Sequence, residues 1–168
     1  NYRNILRRYI RDYGENEDIN RAVQVLERAK RDVLKAQDKT ELIGYEGMAS
    51  NAYFEVLPIL ILNQKTDFPF HGRNRRPPKD AVNAMLSFAY TLIANDVAAA
   101  LETVGLDPYV GFLHTLRPGR TSLALDMMEE LRAYLGDRFI LSLINKRQIS
   151  VKDFLFQGDN GVVMTDKG

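Results

Sequence analysis

From about Lys79 to Val104 the chain carries a long, strongly apolar stretch containing neither proline nor glycine, entered through Pro77 and Pro78 and stopped by Gly105. Proline suits the first turn of a helix, where the N–H groups have no partners anyway, and glycine suits the position just past its end. A helix this long and this apolar needs other elements to cover it, which points to a helical domain.

The rest of the chain repeats the helical period. Tyr2, Ile5, Leu6, Tyr9, Ile10 and Tyr13 mark a first helix closed by Gly14. A second is expected from about Asp18 to Gln37, with Ile19, Val23, Leu26 and Val33 facing inward. Asp38 and Glu41 read as a capping box for a third, which runs to about Val56 and is kinked or ended by Pro58. Residues 63–76 form a polar loop before the long fourth helix. Asp107-Pro108 starts a short fifth helix through His114, and the RPGR turn leads into a sixth, about Ser122 to Leu135. A seventh covers about Asp137 to Asn145. Phe154 to Thr165 holds two short apolar runs around Gly158-Asp159-Asn160-Gly161, the pattern of a hairpin. The expectation is an all-α, bundle-like domain of about seven helices with a small terminal β-hairpin.

Composition narrows the chemistry. With 45% hydrophobic residues among 168, a core can form. The absence of cysteine removes disulfides, thiolate metal sites and cysteine nucleophiles, and it suits a reducing cytoplasm. No apolar run is read as approaching the roughly 20 residues of a membrane span, so no membrane partner is expected. The first residue is not methionine and the chain stops in a polar segment, so a piece of a longer protein is expected. No phosphate-binding glycine loop, nucleophile elbow or H-E-x-x-H zinc motif is present. Net charge is +1, but the basic residues cluster: Arg73, Arg75, Arg76 and Lys79 occupy one acid-free stretch, and Arg117 and Arg120 flank Pro118-Gly119. These clusters could hold phosphates or simply be solvated loops.

Three groups of residues could carry chemistry. Glu46 shares a helical face with Leu42, Ile43, Ala49, Ser50 and Tyr53, where a carboxylate is costly to bury without a cation, a donor or a proton. It could equally lie at an edge or pair with an arginine. Gly44 and Gly47 beside it suggest close packing or close approach of a ligand. Of the two histidines, His114 follows Gly-Phe-Leu on an apolar segment, either as a core histidine satisfied by hydrogen bonds or as a ligand. Asp126, Glu129 and Glu130 lie on or beside one face of the sixth helix, opposite Leu123, Ala124, Met127, Leu131 and Leu135. They form either a solvated acidic face or, placed opposite another carboxylate and an imidazole, a site for magnesium or manganese. Periodicity does not choose among the three acids.

The stretches GYEGMASNAYF (44–54), RRPPKDAVNAMLSFAYTLIANDVAAALETVGLDPYVGFLH (75–114) and RPGRTSLALDMMEELR (117–132) resemble the C-terminal helical domain of the CRISPR-associated integrase of the adaptation module. LINKRQISVKDF (143–154) resembles the subgroup attached to a common type I system. The resemblance implies a catalytic domain over residues 1–168 of a metal-dependent DNA integrase and endonuclease, which inserts spacer fragments into a CRISPR array by transesterification. It implies Glu46, His114 and Glu129 as the ligands of Mg2+ or Mn2+, with Asp126 as the neighbouring acid that supports the site or the DNA. Double-stranded DNA, both spacer fragment and CRISPR repeat, would be held by Arg73, Arg75, Arg76, Lys79, Arg117 and Arg120. The family further implies a homodimer, a smaller CRISPR adaptation protein as partner, and an N-terminal β domain and C-terminal tail outside this chain. A non-catalytic helical scaffold that binds DNA or the partner is the alternative.

Overall fold

The computed structural model describes residues 1–165, and three of its helices begin on a side-chain cap. Asn16 accepts from Ile19 N–H at 3.1 Å, Asp38 from Glu41 N–H at 2.8 Å, and Asp80 from Asn83 N–H at 2.7 Å. Each cap satisfies a donor the helix cannot use, typically for about 1 kcal/mol. The reciprocal half of the expected box is shifted by one residue, since the Glu41 carboxylate accepts from Gln37 N–H rather than from Asp38.

The elements are α1 (Tyr2–Tyr13), α2 (Glu17–Asp32) with a 3-10 turn over Val33–Lys35, α3 (Lys39–Leu60) and α4 (Ala81–Thr103). They continue with α5 (Ser122–Leu131), a π-helical segment (Arg132–Asp137) and α6 (Arg138–Asn145). The last three form one unbroken rod, so the expected sixth and seventh helices are joined. The expected fifth helix does not form: residues 107–114 are turns. Among the described residues five helical rods result, rather than about seven. Pro58 sits in the last turn of α3 and does not end it at Val56. Val33 lies exposed, because the tighter 3-10 turn carries it off the inward face of α2.

The hairpin is as expected. β1 (Phe154–Phe156) and β2 (Val162–Met164) pair antiparallel, with Phe154 opposite Met164 and Phe156 opposite Val162. It grips the entrance of α4: Val162 N–H donates to the Pro78 carbonyl at 2.8 Å. Gly161, at φ 90°, packs so tightly there that a Cβ would stand 2.6 Å from both Pro77 Cβ and the Pro78 carbonyl oxygen.

Leu6, Ile19, Tyr53, Leu57, Ile61, Phe68, Leu86 and Ile144 are the largest fully buried apolar side chains of one main core, to which α5 adds Met128. Each such side chain contributes roughly 1.5–3 kcal/mol by leaving water. Contrary to the sequence expectation, the 23-residue α4 is long and apolar enough to cross a membrane. In this fold its Ala81–Leu86 turns are buried in the core, and it packs against α5, the π segment and β2.

Candidate functional site

Asp126 organises the segment that was expected to be a helix. Its Oδ2 accepts from Phe112 N–H at 2.5 Å and Leu113 N–H at 2.9 Å, and its Oδ1 from His114 N–H at 2.9 Å. The first donors of α5 are likewise taken by this segment, Leu123 and Ala124 N–H both reaching the Pro108 carbonyl. Residues 107–114 therefore spend their backbone groups on α5 instead of on a helix of their own. Gly111 lets them come that close, for a Cβ there would stand 2.7 Å from Ser122 and 2.8 Å from Asp126 Oδ2.

The same carboxylate holds the imidazole. His114 Nδ1 lies 2.7 Å from Asp126 Oδ1. Burial alone would raise the Asp126 pKa, but the bonds from the His114 ring and from the Leu113, His114 and Phe112 N–H groups outweigh it and hold the carboxyl below its ordinary range. An ionised carboxylate only accepts, so Nδ1 carries a proton, and in the neutral ring it is Nε2 that holds the lone pair. Metal-bound imidazoles are oriented in this way by a carboxylate on the far nitrogen.

Glu129 is one turn further along α5 and half-buried. Its Oε2 lies 2.8 Å from Arg132 Nη2, and the same nitrogen is 3.7 Å from Glu46 Oε1. Burial raises the Glu129 pKa, with Glu46 adding to the rise while Arg132, His114 and Arg75 oppose it. Two carboxylates thus converge on one guanidinium nitrogen. Glu46 itself is 57% exposed, at the rim rather than within an apolar stripe, and an arginine partners it. Gly44 and Gly47 face open space, so close packing among the described residues does not explain them.

Arg132 was not singled out from sequence, although it continues the three-residue spacing of Asp126 and Glu129. It is 4% exposed, donates to the Tyr2 hydroxyl at 2.7 Å, and lies over the Tyr90 and Tyr2 rings at 5.3 and 6.0 Å. Behind it the Tyr90 hydroxyl donates to Asp137, which is fully buried. Burial pushes the Asp137 carboxyl up to about 6, although the Tyr90 hydroxyl, Arg132, the Tyr53 hydroxyl and Arg73 pull the other way. Arg132 Nε, Asp137 Oδ2 and the Tyr53 hydroxyl have no hydrogen-bond partner among the described residues.

The expected acidic face of α5 is not solvated as a whole: Glu130 is exposed, but Asp126 and Glu129 turn inward. The buried apolar residues of that helix are Leu123, Ala124 and Met128, whereas Met127, Leu131 and Leu135 are exposed. As placed, no three His, Asp or Glu side chains among the described residues stand close enough to ligate one ion. The donor set of Glu46, Glu129 and His114 Nε2 nevertheless suits a divalent cation that accepts oxygen and imidazole ligands.

The basic clusters divide. Arg75, Arg76, Lys79 and Arg117 are exposed and Arg120 half-exposed. Arg73 is different: it donates to Asn83 Oδ1 at 2.8 Å, the Asn74 carbonyl at 2.5 Å and Ser87 Oγ at 3.1 Å, and lies 5.3 Å from the centre of the Tyr90 ring. These bonds remove Arg73 from the freely presented set. With Asn74 N–H on Asn83 and Lys79 N–H on Asn74, they also pin the loop to the start of α4.

The family model for CRISPR associated protein Cas1 matches residues 1–168. The CRISPR-associated endonuclease Cas1 of Leptospira interrogans is 48% identical over 158 residues, covering 92% of this chain and 62% of that protein. Among solved structures, a Cas6-RT-Cas1–Cas2 complex superposes with a TM-score of 0.84 at 25% identity, covering 99% of this chain and 18% of that one. A casposase bound to its integration product superposes with a TM-score of 0.79 at 27% identity, covering 99% of this chain and 46% of that one. The chain spans about half the length of the curated relatives it matches, 62%, 49% and 51% for three of them. Since the family model runs over the entire chain and the shared fold covers nearly all of it, the chain belongs to the Cas1 family of CRISPR-associated proteins.

Proposed function

We propose that this chain is the helical catalytic domain, residues 1–168, of a metal-dependent DNA integrase and endonuclease that joins the 3′-hydroxyl of an incoming fragment to a phosphodiester at a CRISPR repeat boundary. The observation that carries the reading is the imidazole of His114, held through Nδ1 by Asp126, one turn of α5 before the half-buried carboxylate of Glu129 that meets Glu46 at Arg132. The reading gains support from a relative named as an endonuclease and from a structural neighbour captured with an integration product. The Cas1–Cas2 assembly of another neighbour supports the smaller adaptation protein as partner, and the resemblance adds a homodimer and an N-terminal β domain outside this chain to the proposal.

In such a transesterification the hydroxyl oxygen bonds to phosphorus as the ester oxygen departs, so one P–O bond replaces another. A bound magnesium or manganese ion supplies charge neutralisation at the phosphate and at the attacking or departing oxygen. Glu46, His114 and Glu129 would hold it. Asp126 fixes the His114 tautomer and seats the loop. Arg75, Arg76, Lys79, Arg117 and Arg120 grip the duplex backbone, which positions the DNA without reading its sequence. Arg73 supports this surface from within.

The test is Glu46→Ala in the intact protein that contains this chain. Because Glu46 is exposed at the rim, the variant should melt within about 1 kcal/mol of wild type. It should still bind duplex DNA and should fail to join a fragment when manganese is supplied. Joining at the wild-type rate would replace the catalytic reading by the scaffold one.

A further inference from the structure

We infer that Arg132 is an internal counter-ion of this site, standing between Glu46 and Glu129 where a shared cation would stand, and that binding of a divalent cation displaces it. The inference rests on the metal reading of the two carboxylates given above. A single nitrogen, Nη2, is the point on which Glu129 Oε2 and Glu46 Oε1 converge, at 2.8 and 3.7 Å. A divalent ion bound by both oxygens at roughly 2.1–2.3 Å would need much of the same space. A positive charge kept there also opposes the approach of a second one.

Two further features make displacement possible without unfolding. First, Arg132 is anchored by groups other than the carboxylates. Its guanidinium carbon lies over the Tyr90 and Tyr2 rings at 5.3 and 6.0 Å, and the Tyr2 hydroxyl accepts at 2.7 Å from the same Nη2 that meets Glu129, a bond it can keep as the guanidinium pivots on these rings. Second, the buried network behind it holds three unused donors, Arg132 Nε, Arg73 Nε and the Tyr53 hydroxyl, and one unused acceptor, Asp137 Oδ2. A guanidinium released from Glu129 can settle toward Asp137 and pair its Nε with that acceptor. The charged groups around it are then accounted for: Glu46 and Glu129 on the outer side, Asp137 and Arg73 on the inner side. Without metal, Arg132 keeps the two carboxylates from repelling each other apart. With metal, the ion takes over that role.

The experiment is a manganese titration of the intact protein by calorimetry, comparing wild type with Arg132→Met and Arg132→Lys. Methionine removes the charge while filling much of the space, and the manganese Kd should tighten at least about tenfold, about 1.4 kcal/mol. Lysine keeps a charge in place and should stay within about threefold of wild type. An affinity that is unchanged or weaker in Arg132→Met would mean that Arg132 stays on Glu129 in the loaded site and positions it, which overturns the inference. Should Arg132→Met fail to fold, the wild-type protein with 15N-labelled arginine gives a second answer. The Arg132 Nε signal should move in step with saturation by diamagnetic Mg2+, and a signal unmoved at saturation overturns the inference. Wild-type protein that binds neither ion sinks the metal reading and the inference with it. Metal binding with an unmoved Arg132 sinks the inference alone.

Discussion

Replacing Asp126 by asparagine keeps the outline of the side chain and takes away one acceptor atom. In wild type each carboxylate oxygen faces two donors: Oδ2 meets Phe112 and Leu113 N–H, and Oδ1 meets His114 N–H and the His114 ring. The asparagine NH2 must therefore point at a pair of donors whichever way the amide is turned. Turned toward the loop, it leaves Phe112 and Leu113 N–H without an acceptor and loosens the segment, at about 1 kcal/mol for each lost bond. Turned toward the imidazole, it strands His114 N–H and makes Nδ1 an acceptor. That moves the ring proton to Nε2 and removes the lone pair a metal needs. Loss of a carboxylate behind a metal-binding histidine typically weakens metal binding 10–100-fold, about 1.4–2.7 kcal/mol. Calorimetric titration with manganese measures the affinity, and 15N spectra of the histidine ring report the tautomer. An Asp126→Asn protein that binds manganese within about threefold of wild type and keeps the Nδ1–H tautomer would refute the assignment of Asp126 as the residue that prepares His114.

The remaining predictions use the same structure. Gly111→Ala drives a Cβ to 2.7 Å from the buried Ser122, so it should cost about 1–3 kcal/mol in urea unfolding and weaken manganese binding; unchanged stability would show that the loop is not pressed onto α5. Arg75→Ala with Arg76→Ala should reduce the slope of log affinity for duplex DNA against log salt by about 2 while metal affinity stays the same, and an unchanged slope would place the DNA elsewhere. Asp137 has a folded-state pKa raised from the usual 3.8 to about 6, so the folded state binds the extra proton between these values and stability falls as pH rises through that window. The effect reaches about 3 kcal/mol and is flat above and below. Urea unfolding of wild type and Asp137→Asn between pH 4 and 7 should show the variant gaining relative to wild type as pH rises, and a pH-independent difference would remove Asp137 from the titration.

The order of elements was legible because each is written locally. Gly14 closes α1, Asp38 caps α3, Pro77 and Pro78 lead into α4, and the Gly158–Gly161 turn sits between two apolar runs. What local rules missed was settled between elements. Residues 107–114 look helical, yet their donors are claimed by Asp126 and their Pro108 carbonyl by α5. The buried side of this helix was read as Leu123, Ala124, Met127, Leu131 and Leu135; the first two are buried, but the stripe then runs through Met128 and Arg132, leaving the other three exposed. Of the site, the acids of α5 stood out as a cluster, but the choice of Glu129, and the weight given to Glu46 and His114, came from the resemblance. Arg132 was not singled out, since nothing in its neighbours along the chain announces the tyrosines that enclose it.

The π segment gives the last rod two independent jobs. Beyond Met128 the buried residues recur every four positions, at Arg132, Gly136, Ile140 and Ile144, with Ala133, Asp137 and Leu141 beside them. In a uniform α-helix each four-residue step overshoots a turn by about 40°, so this stripe would wander around the rod. The wider π turn takes up that excess and returns the stripe to the core. It works as a phase adjuster between a half that presents Asp126 and Glu129 and a half that packs Ile140 and Ile144. Were the same six residues wound as an ordinary α-helix, everything beyond would turn further by about 100°, leaving the acids in place while swinging the packing residues toward water. The two halves of this helix are geared together, and the winding between them matters as much as residue identity.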